Sequence, residues 1–254
     1  MTDPRDSFAV LDNRVTYQCG CVNEVLAPAG LLHSVSKCSH HRAKQRDPVT
    51  LGLAYYEELG AIKDGIPQSR HYLDELREAL GEFYGAKRDP ASVTLEIGCG
   101  ASMYAAGLIN SGFDYIGLDP SPWACAWTSN TFEVPTITGT LDDIATPDSP
   151  GNESLYCKSR GEPIDLILAA HCLEHMDDAP KAIQQCADLL NYDGKFWLIV
   201  PDDTDPLNPD HQWFFTPDSL RSCLEAAGLV VERLVSRRIV KHENFLYARA
   251  RKPA

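Results

Sequence analysis

The sequence has no apolar run approaching the roughly 20 residues of a membrane span, so nothing in it marks a membrane protein. Its opening residues, Met1-Thr-Asp-Pro-Arg-Asp6, lack the apolar centre of a secretory leader. Basic residues are scarce, with 23 Lys and Arg against 36 Asp and Glu, a net charge of −13. That balance argues against a general nucleic-acid-binding surface. The one locally basic stretch, Arg233 to Lys252, reads as a solvated edge strand. Disulfide frames want paired cysteines, whereas the nine here are odd in number and scattered through 254 residues. They read as reduced thiols of a cytoplasmic protein. Cys99, Cys125, Cys172, Cys186 and Cys223 lie in apolar patterns and are expected to be small buried residues.

What is present is organised around Val93 to Ser102. A short β-branched and apolar run ends at Glu96, and Gly98 and Gly100 follow before a predicted helix from Ser102 to about Ser111. A strand, a glycine turn and a helix N-terminus make a nucleotide-cofactor site. Glycines let the backbone turn sharply and approach a ligand, and the first helical N–H groups are unpaired. Spacing then chooses the cofactor. A dinucleotide site wants G-x-G-x-x-G/A, but the third position here is Met103.

The pattern that does stand, Glu96-x-Gly98-x-Gly100-x-Ser102, resembles the first motif of class I S-adenosylmethionine-dependent methyltransferases, E/D-x-G-x-G-x-G, with Ser102 for the last glycine. The resemblance implies that Glu96, Gly98 and Gly100 bind S-adenosylmethionine, with Glu96 holding its ammonium end. Further landmarks follow in order. The run Tyr115-Ile-Gly-Leu118 ends in Asp119, where a carboxylate about 20 residues past the glycines suits a ribose diol. Residues 135–138 make a third strand, and by the resemblance Leu141 packs on adenine while Asp142 accepts from its amine. Residues 145–163 read as a surface loop. Ile164 to Ala169 is a buried strand and Lys195 to Val200 the next, and residues 230–235 and 244–250 form an antiparallel pair at one edge. The expected fold is therefore α/β: a doubly wound, Rossmann-like, seven-stranded sheet, mostly parallel with one antiparallel edge strand pair.

After the fourth strand comes His171-Cys-Leu-Glu174-His175. H-x-x-E-H is also an inverted zinc-protease motif, but that motif belongs inside a helix, not at the carboxyl end of a buried strand. In methyltransferases this position lines the cleft between sulfonium and acceptor. Some oxygen methyltransferases of ubiquinone biosynthesis carry E-x-x-E-H there, with a divalent metal near the acceptor; here His171 replaces the first Glu. A sulfonium methyl is already activated, so the protein must align a nucleophile and remove a proton. His171, His175 and His211 are the candidate catalytic residues, and His171 is equally placed to form part of the cofactor wall.

Upstream, residues 1–50 read as an irregular segment in which Cys19-Gly-Cys21 and Cys38-Ser-His-His41 offer four ligands, Cys19, Cys21, Cys38 and His41, to a structural zinc. Residues 51–90 read as a helical cap. Tyr72, Leu73, Leu76, Leu80 and Phe83 share one face there and are expected to pack onto the cofactor domain; the resemblance implies that such a cap covers cofactor and acceptor, so that Tyr55, Tyr56 or Arg70 would touch ligand, with core packing the alternative. Residues 91–254 are the expected cofactor-binding methyltransferase domain. The expected reaction is methyl transfer to a small-molecule hydroxyl, on a sugar, polyketide or similar product of secondary metabolism, without nucleic-acid or membrane partners and with no sign of oligomeric state. Two alternatives remain at this point: a non-catalytic methyltransferase-like scaffold, and a nicotinamide oxidoreductase, which Met103 and Glu96 disfavour.

Overall fold

A computed structural model describes residues 8–11, 14–17, 22–26, 32–36, 47–59, 61–67, 92–145, 151–159, 161–202, 211–240 and 243–254. Where an irregular segment was expected, the described amino-terminal residues include regular strands. These are β1 (Phe8–Leu11), β2 (Arg14–Tyr17), β3 (Val22–Leu26) and β4 (Leu32–Ser36), paired antiparallel in sequence order. The expectation of irregularity came from runs too short to show alternation clearly; pairing with neighbours makes strands of them. A six-residue helix, α1 (Leu53–Glu58), and a small hairpin of β5 (Ile62–Lys63) and β6 (Ile66–Pro67) follow. The apolar helical face predicted between Arg70 and Tyr84 lies outside the described residues.

The central sheet begins at β7 (Val93–Ile97). It continues with β8 (Asp114–Asp119), β9 (Thr136–Thr138), β10 (Ile164–Ala170) and β11 (Leu190–Pro201). A two-residue strand, β12 (Trp213–Phe214), precedes the last two, β13 (Val230–Val240) and β14 (Glu243–Arg251). The seven strands lie in the order β13-β14-β11-β10-β7-β8-β9. β14 inserts between β11 and β13 and runs against both, while β7, β8, β9, β10 and β11 pair in parallel. The expected seven-stranded, mostly parallel sheet is thus observed, and the antiparallel character at its edge comes from β14.

Helices cover both faces: α2 (Ala105–Asn110), α3 (Pro122–Phe132), α5 (Ala179–Leu189) and α6 (Pro217–Ala226). The stretch expected as a loop contains α4 (Asn152–Lys158). A strand covered on both faces must be apolar on both, and the two-residue alternation of β10 shows it. Ile167 and Ala169 belong to one core cluster, with Ile183 of α5 and Leu220 of α6. Leu166 and Leu168 belong to the other, with Leu108 of α2, Trp197 and Tyr247. Start signals are explicit: Ser121, Asp178 and Thr216 each accept from a backbone N–H in the first turn, and each precedes a proline at the helix start. Among the described residues, no helix is long and apolar enough to cross a membrane.

From β7 the chain winds outward through β8 to β9, then crosses back to β10 and winds the other way. The switch lies between β7 and β10, where an open α/β sheet leaves a crevice beyond its carboxyl ends. Gly98, Asp119 and His171 all stand just at or beyond those ends.

Candidate active site

The glycine turn is built for close approach, though partly to other protein groups. Gly98 (φ +65°) and Gly100 (φ +52°) are left-handed. A Cβ on Gly98 would lie 2.6 Å from Cys172 Cβ, in the loop after β10, and one on Gly100 would lie 3.0 Å from the Tyr56 ring. Ser102, in place of a third glycine, also has positive φ (45°). Its hydroxyl fixes that conformation by donating to Glu96 Oε2 at 2.9 Å and accepting from Ala105 N at 3.1 Å, at the start of α2.

Glu96, expected to hold the cofactor's ammonium end, lies beneath the glycine turn with one carboxylate oxygen committed to protein donors. It is 2% exposed, and Tyr115 Oη joins Ser102 in donating to Oε2. Its other oxygen, Oε1, meets no donor among the described residues. Burial pushes its pKa up to about 7, partly offset by these two bonds. The side chain therefore props the glycine turn from beneath.

Asp119, closing β8, is where a ribose-binding carboxylate was expected. Gly100 N donates to Oδ2 at 2.8 Å and Ser121 N to Oδ1 at 2.8 Å. Each oxygen keeps a second lone pair, so the carboxylate is held rigidly without being used up. Burial raises its pKa and the two backbone bonds oppose the shift.

Tyr56 covers this crevice, a role no sequence signal separated from packing. It is 7% exposed, stacks on Trp123 (5.3 Å, 17°), and Trp123 stacks on Trp127. Burial, then the charge of Asp119, raises its phenol pKa. Ser121 Oγ donates to Leu51 O at 2.9 Å and fastens the segment in place.

The two residues expected along the adenine, Leu141 and Asp142, both meet protein partners. Leu141 packs into the main core at 5% exposure. Asp142 turns outward to α5, where Lys181 Nζ lies 2.7 Å and Gln185 Nε2 2.6 Å from Oδ1. The cause is the short 3-10 turn Leu141–Asp143, capped by Thr140 and Asp143, which points Leu141 inward and leaves Asp142 on the rim.

The candidate histidines lie at one corner, because a distant segment carrying His211 joins the loop after β10. His171 closes β10 in a left-handed conformation (φ 54°), its N–H donating to Ile199 O at 2.9 Å. A 3-10 turn, Leu173–His175, follows. Gln212 N donates to Glu174 O at 2.7 Å, Gln212 Nε2 to His175 O at 3.1 Å, and Trp213 Nε1 to Met176 O at 2.8 Å. These bonds bring the His211 ring to 4.9 Å from that of His175. β12 also pairs with β4, Trp213 opposite His33 and Phe214 opposite Leu32, so the amino-terminal sheet joins the same corner. Glu174, which the motif contained without an assigned role, lies in the middle. It is 1% exposed, with Oε1 3.8 Å from His171 Nδ1 and 3.9 Å from His175 Nε2, beyond hydrogen-bond length.

Burial, then the neighbouring His175, lowers the His171 pKa; burial and the same neighbours lower that of His211 to about 3. Both rings are therefore neutral at pH 7. His171 meets Phe245 edge-on at 4.8 Å, and its side chain stays 30% exposed. Cys172 Sγ reaches Ile97 O at 3.3 Å and so links this corner to the glycine turn. The proposed zinc ligands Cys19, Cys21, Cys38 and His41 lie outside the described residues, as does Arg70.

The chain has known relatives, and its fold has known counterparts. A model of the methyltransferase domain family matches residues 69–234, well over half of the chain. A ubiquinone biosynthesis O-methyltransferase of Rhodopseudomonas palustris (strain BisB5) is 26% identical over 160 residues. The match takes in 54% of this chain and 58% of that relative, so the chain spans little more than half of the curated relative's length. Among solved structures, the N-methyltransferase NodS of Bradyrhizobium japonicum WM9, in complex with S-adenosyl-L-homocysteine, superposes with a TM-score of 0.54 at 20% identity. The superposition covers 75% of this chain and 90% of that one. An S-adenosylmethionine-dependent methyltransferase from Mesorhizobium loti superposes with a TM-score of 0.52 at 16% identity, covering 70% and 96%. These superpositions establish a shared fold.

Proposed function

Because the chain belongs to the class I S-adenosylmethionine-dependent methyltransferase family, we propose that it transfers a methyl group from S-adenosylmethionine to a hydroxyl of a small molecule, such as a sugar or polyketide. The observation that carries this reading is one crevice with two unlike walls. One wall is Gly98, Gly100 and Asp119, which suit a nucleoside. The other is His171, beside His175 and His211, which suits a proton-bearing acceptor.

The fit to the cofactor rests on residues present. Asp119 is oriented by two backbone donors and retains acceptor capacity for a ribose diol. Gly100 leaves space that a Cβ would fill, below Tyr56. Glu96 is assigned to the amino-acid end through Oε1, with Oε2 committed to the loop. Leu141 and Asp142 are given no cofactor contact. When bound, the cofactor supplies an already activated methyl group, so the chain's own work is placement and proton removal.

His171, neutral and partly exposed at the sheet edge, receives the acceptor's proton; a lowered pKa keeps it unprotonated but makes it a modest base. Phe245 holds its ring edge-on, and His175 and His211 line the acceptor side. The O-methyltransferase named above supports oxygen over nitrogen as the target atom. The odd number and scattered placing of the nine cysteines in the sequence support a cytoplasmic setting. Tyr56 must move or stack when the nucleoside enters.

The test is calorimetric titration of S-adenosylmethionine, S-adenosylhomocysteine and NAD into wild type and Asp119→Asn. Binding of the first two and its loss in the variant is the expected result. NAD binding, or no binding at all, would overturn the reading, the latter in favour of a scaffold.

A further inference from the structure

We propose that Ser102 and Tyr115 are positioning residues for the amino-acid end of the cofactor, their two hydroxyls holding Glu96 so that its Oε1 is presented to the ammonium group. The inference rests on the assignment of Glu96 to that end of S-adenosylmethionine. Both hydroxyls meet the same carboxylate oxygen. Ser102 Oγ donates to Glu96 Oε2 at 2.9 Å, Tyr115 Oη donates to it as well, and the two hydroxyl oxygens stand 2.9 Å apart. All three side chains are buried. Held at Oε2 by two donors, the carboxylate has its orientation set before any ligand arrives, so binding loses less freedom.

Two features of the sequence make the arrangement possible. Tyr115 pairs with Thr94, so its ring must reach over Gly117, the partner of Glu96, to arrive at the carboxylate. A Cβ on Gly117 would lie 3.3 Å from Tyr115 Oη and 2.9 Å from Cys99 Sγ, and the glycine keeps that path clear. Ser102 stands where the motif has a third glycine. It adopts the positive φ (45°) that a glycine takes freely, and accepts from Ala105 N at 3.1 Å. A glycine would turn the chain equally well but would give Glu96 no bond. Burial raises the Glu96 pKa, and the Tyr115 and Ser102 bonds oppose it, favouring the ionised form that an ammonium group requires.

The experiment is calorimetric titration of the full-length protein with S-adenosylhomocysteine and with 5′-methylthioadenosine, which keeps the nucleoside and thioether but lacks the amino-acid end. The variants are Tyr115→Phe, which keeps the ring in the core, Ser102→Gly, which accepts the positive φ, and Glu96→Gln with and without Tyr115→Phe. Wild type should bind S-adenosylhomocysteine more tightly than the truncated compound. Tyr115→Phe and Ser102→Gly should each lower that preference about fivefold or more, while 5′-methylthioadenosine still binds and so shows the variants folded. In the Glu96→Gln background, Tyr115→Phe should lower it no further, because the hydroxyl acts through the carboxylate. An unchanged preference in either hydroxyl variant, as a purely structural role in the turn would give, or an equal further loss in the Glu96→Gln background, would overturn the proposal. Binding of neither compound by wild type would overturn the cofactor reading itself, and this proposal with it.

Discussion

Glu96→Gln isolates the cost of the carboxyl buried beneath the glycine turn. The folded pKa stands at about 7 against an ordinary 4.5, a rise caused mainly by burial. For an acid raised in this way, the native state holds its proton over a pH range where the unfolded chain has lost it. Stability from this group is then fully present below about pH 4.5 and is lost as pH rises to about 7, about 3 kcal/mol in all. Glutamine keeps an oxygen where Ser102 and Tyr115 donate, and has no proton to lose. Urea unfolding at about pH 5 and about pH 8 should therefore show the difference between variant and wild type moving in the variant's favour by about 3 kcal/mol, a midpoint shift near 1 M for a chain of this size. A difference that stays constant across pH would refute the reasoning, since Glu96 would then be ionised in the fold. If Oε1 receives the cofactor's ammonium, wild type should also release up to one proton on binding S-adenosylmethionine near pH 7. Calorimetry in buffers of different ionisation enthalpy would read this, and Glu96→Gln should release none.

Asp119→Asn removes the charge behind the two proposed ribose hydrogen bonds, worth about 1.5 kcal/mol or more each; titration should show S-adenosylhomocysteine binding weakened about a hundredfold or more. Gly98→Ala meets both a positive φ and the 2.6 Å approach of Cys172 and should cost about 2–4 kcal/mol in urea unfolding, whereas Gly112→Ala, positive in φ but with open space around it, should cost about 1. His171→Ala should lower turnover about tenfold or more while cofactor affinity holds; unchanged turnover would remove His171 as the proton acceptor.

Several parts of this protein were legible because neighbours in sequence decide them. Val93 to Ile97 had to be an inner strand, since an apolar run ending in a glycine turn suits a parallel sheet covered on both faces. The alternation of strand and helix after it left few topologies, and Asp119 stood where the end of the second strand would carry a carboxylate to the crevice. Likewise, His171 and His175 were placed by following directly on a buried strand.

The remainder depended on which way side chains turn and on what arrives from far along the chain. Nothing local says that Glu96 would be turned under the loop, because that needs Tyr115 on the next strand and Ser102 six residues on, both aimed at one oxygen. Nor does local pattern show that a capped 3-10 turn would point Leu141 into the core and give Asp142 to Lys181. Tyr56 reaches Gly100, and His211 reaches His175, across separations of tens of residues, held by bonds to backbone oxygens that every sequence possesses. Residue type and spacing therefore determined the sheet, the glycine turn and the chemistry available at its edge. Only the tertiary structure decided which groups face the crevice, because that choice is made by hydrogen bonds and packing between segments that sequence order keeps apart.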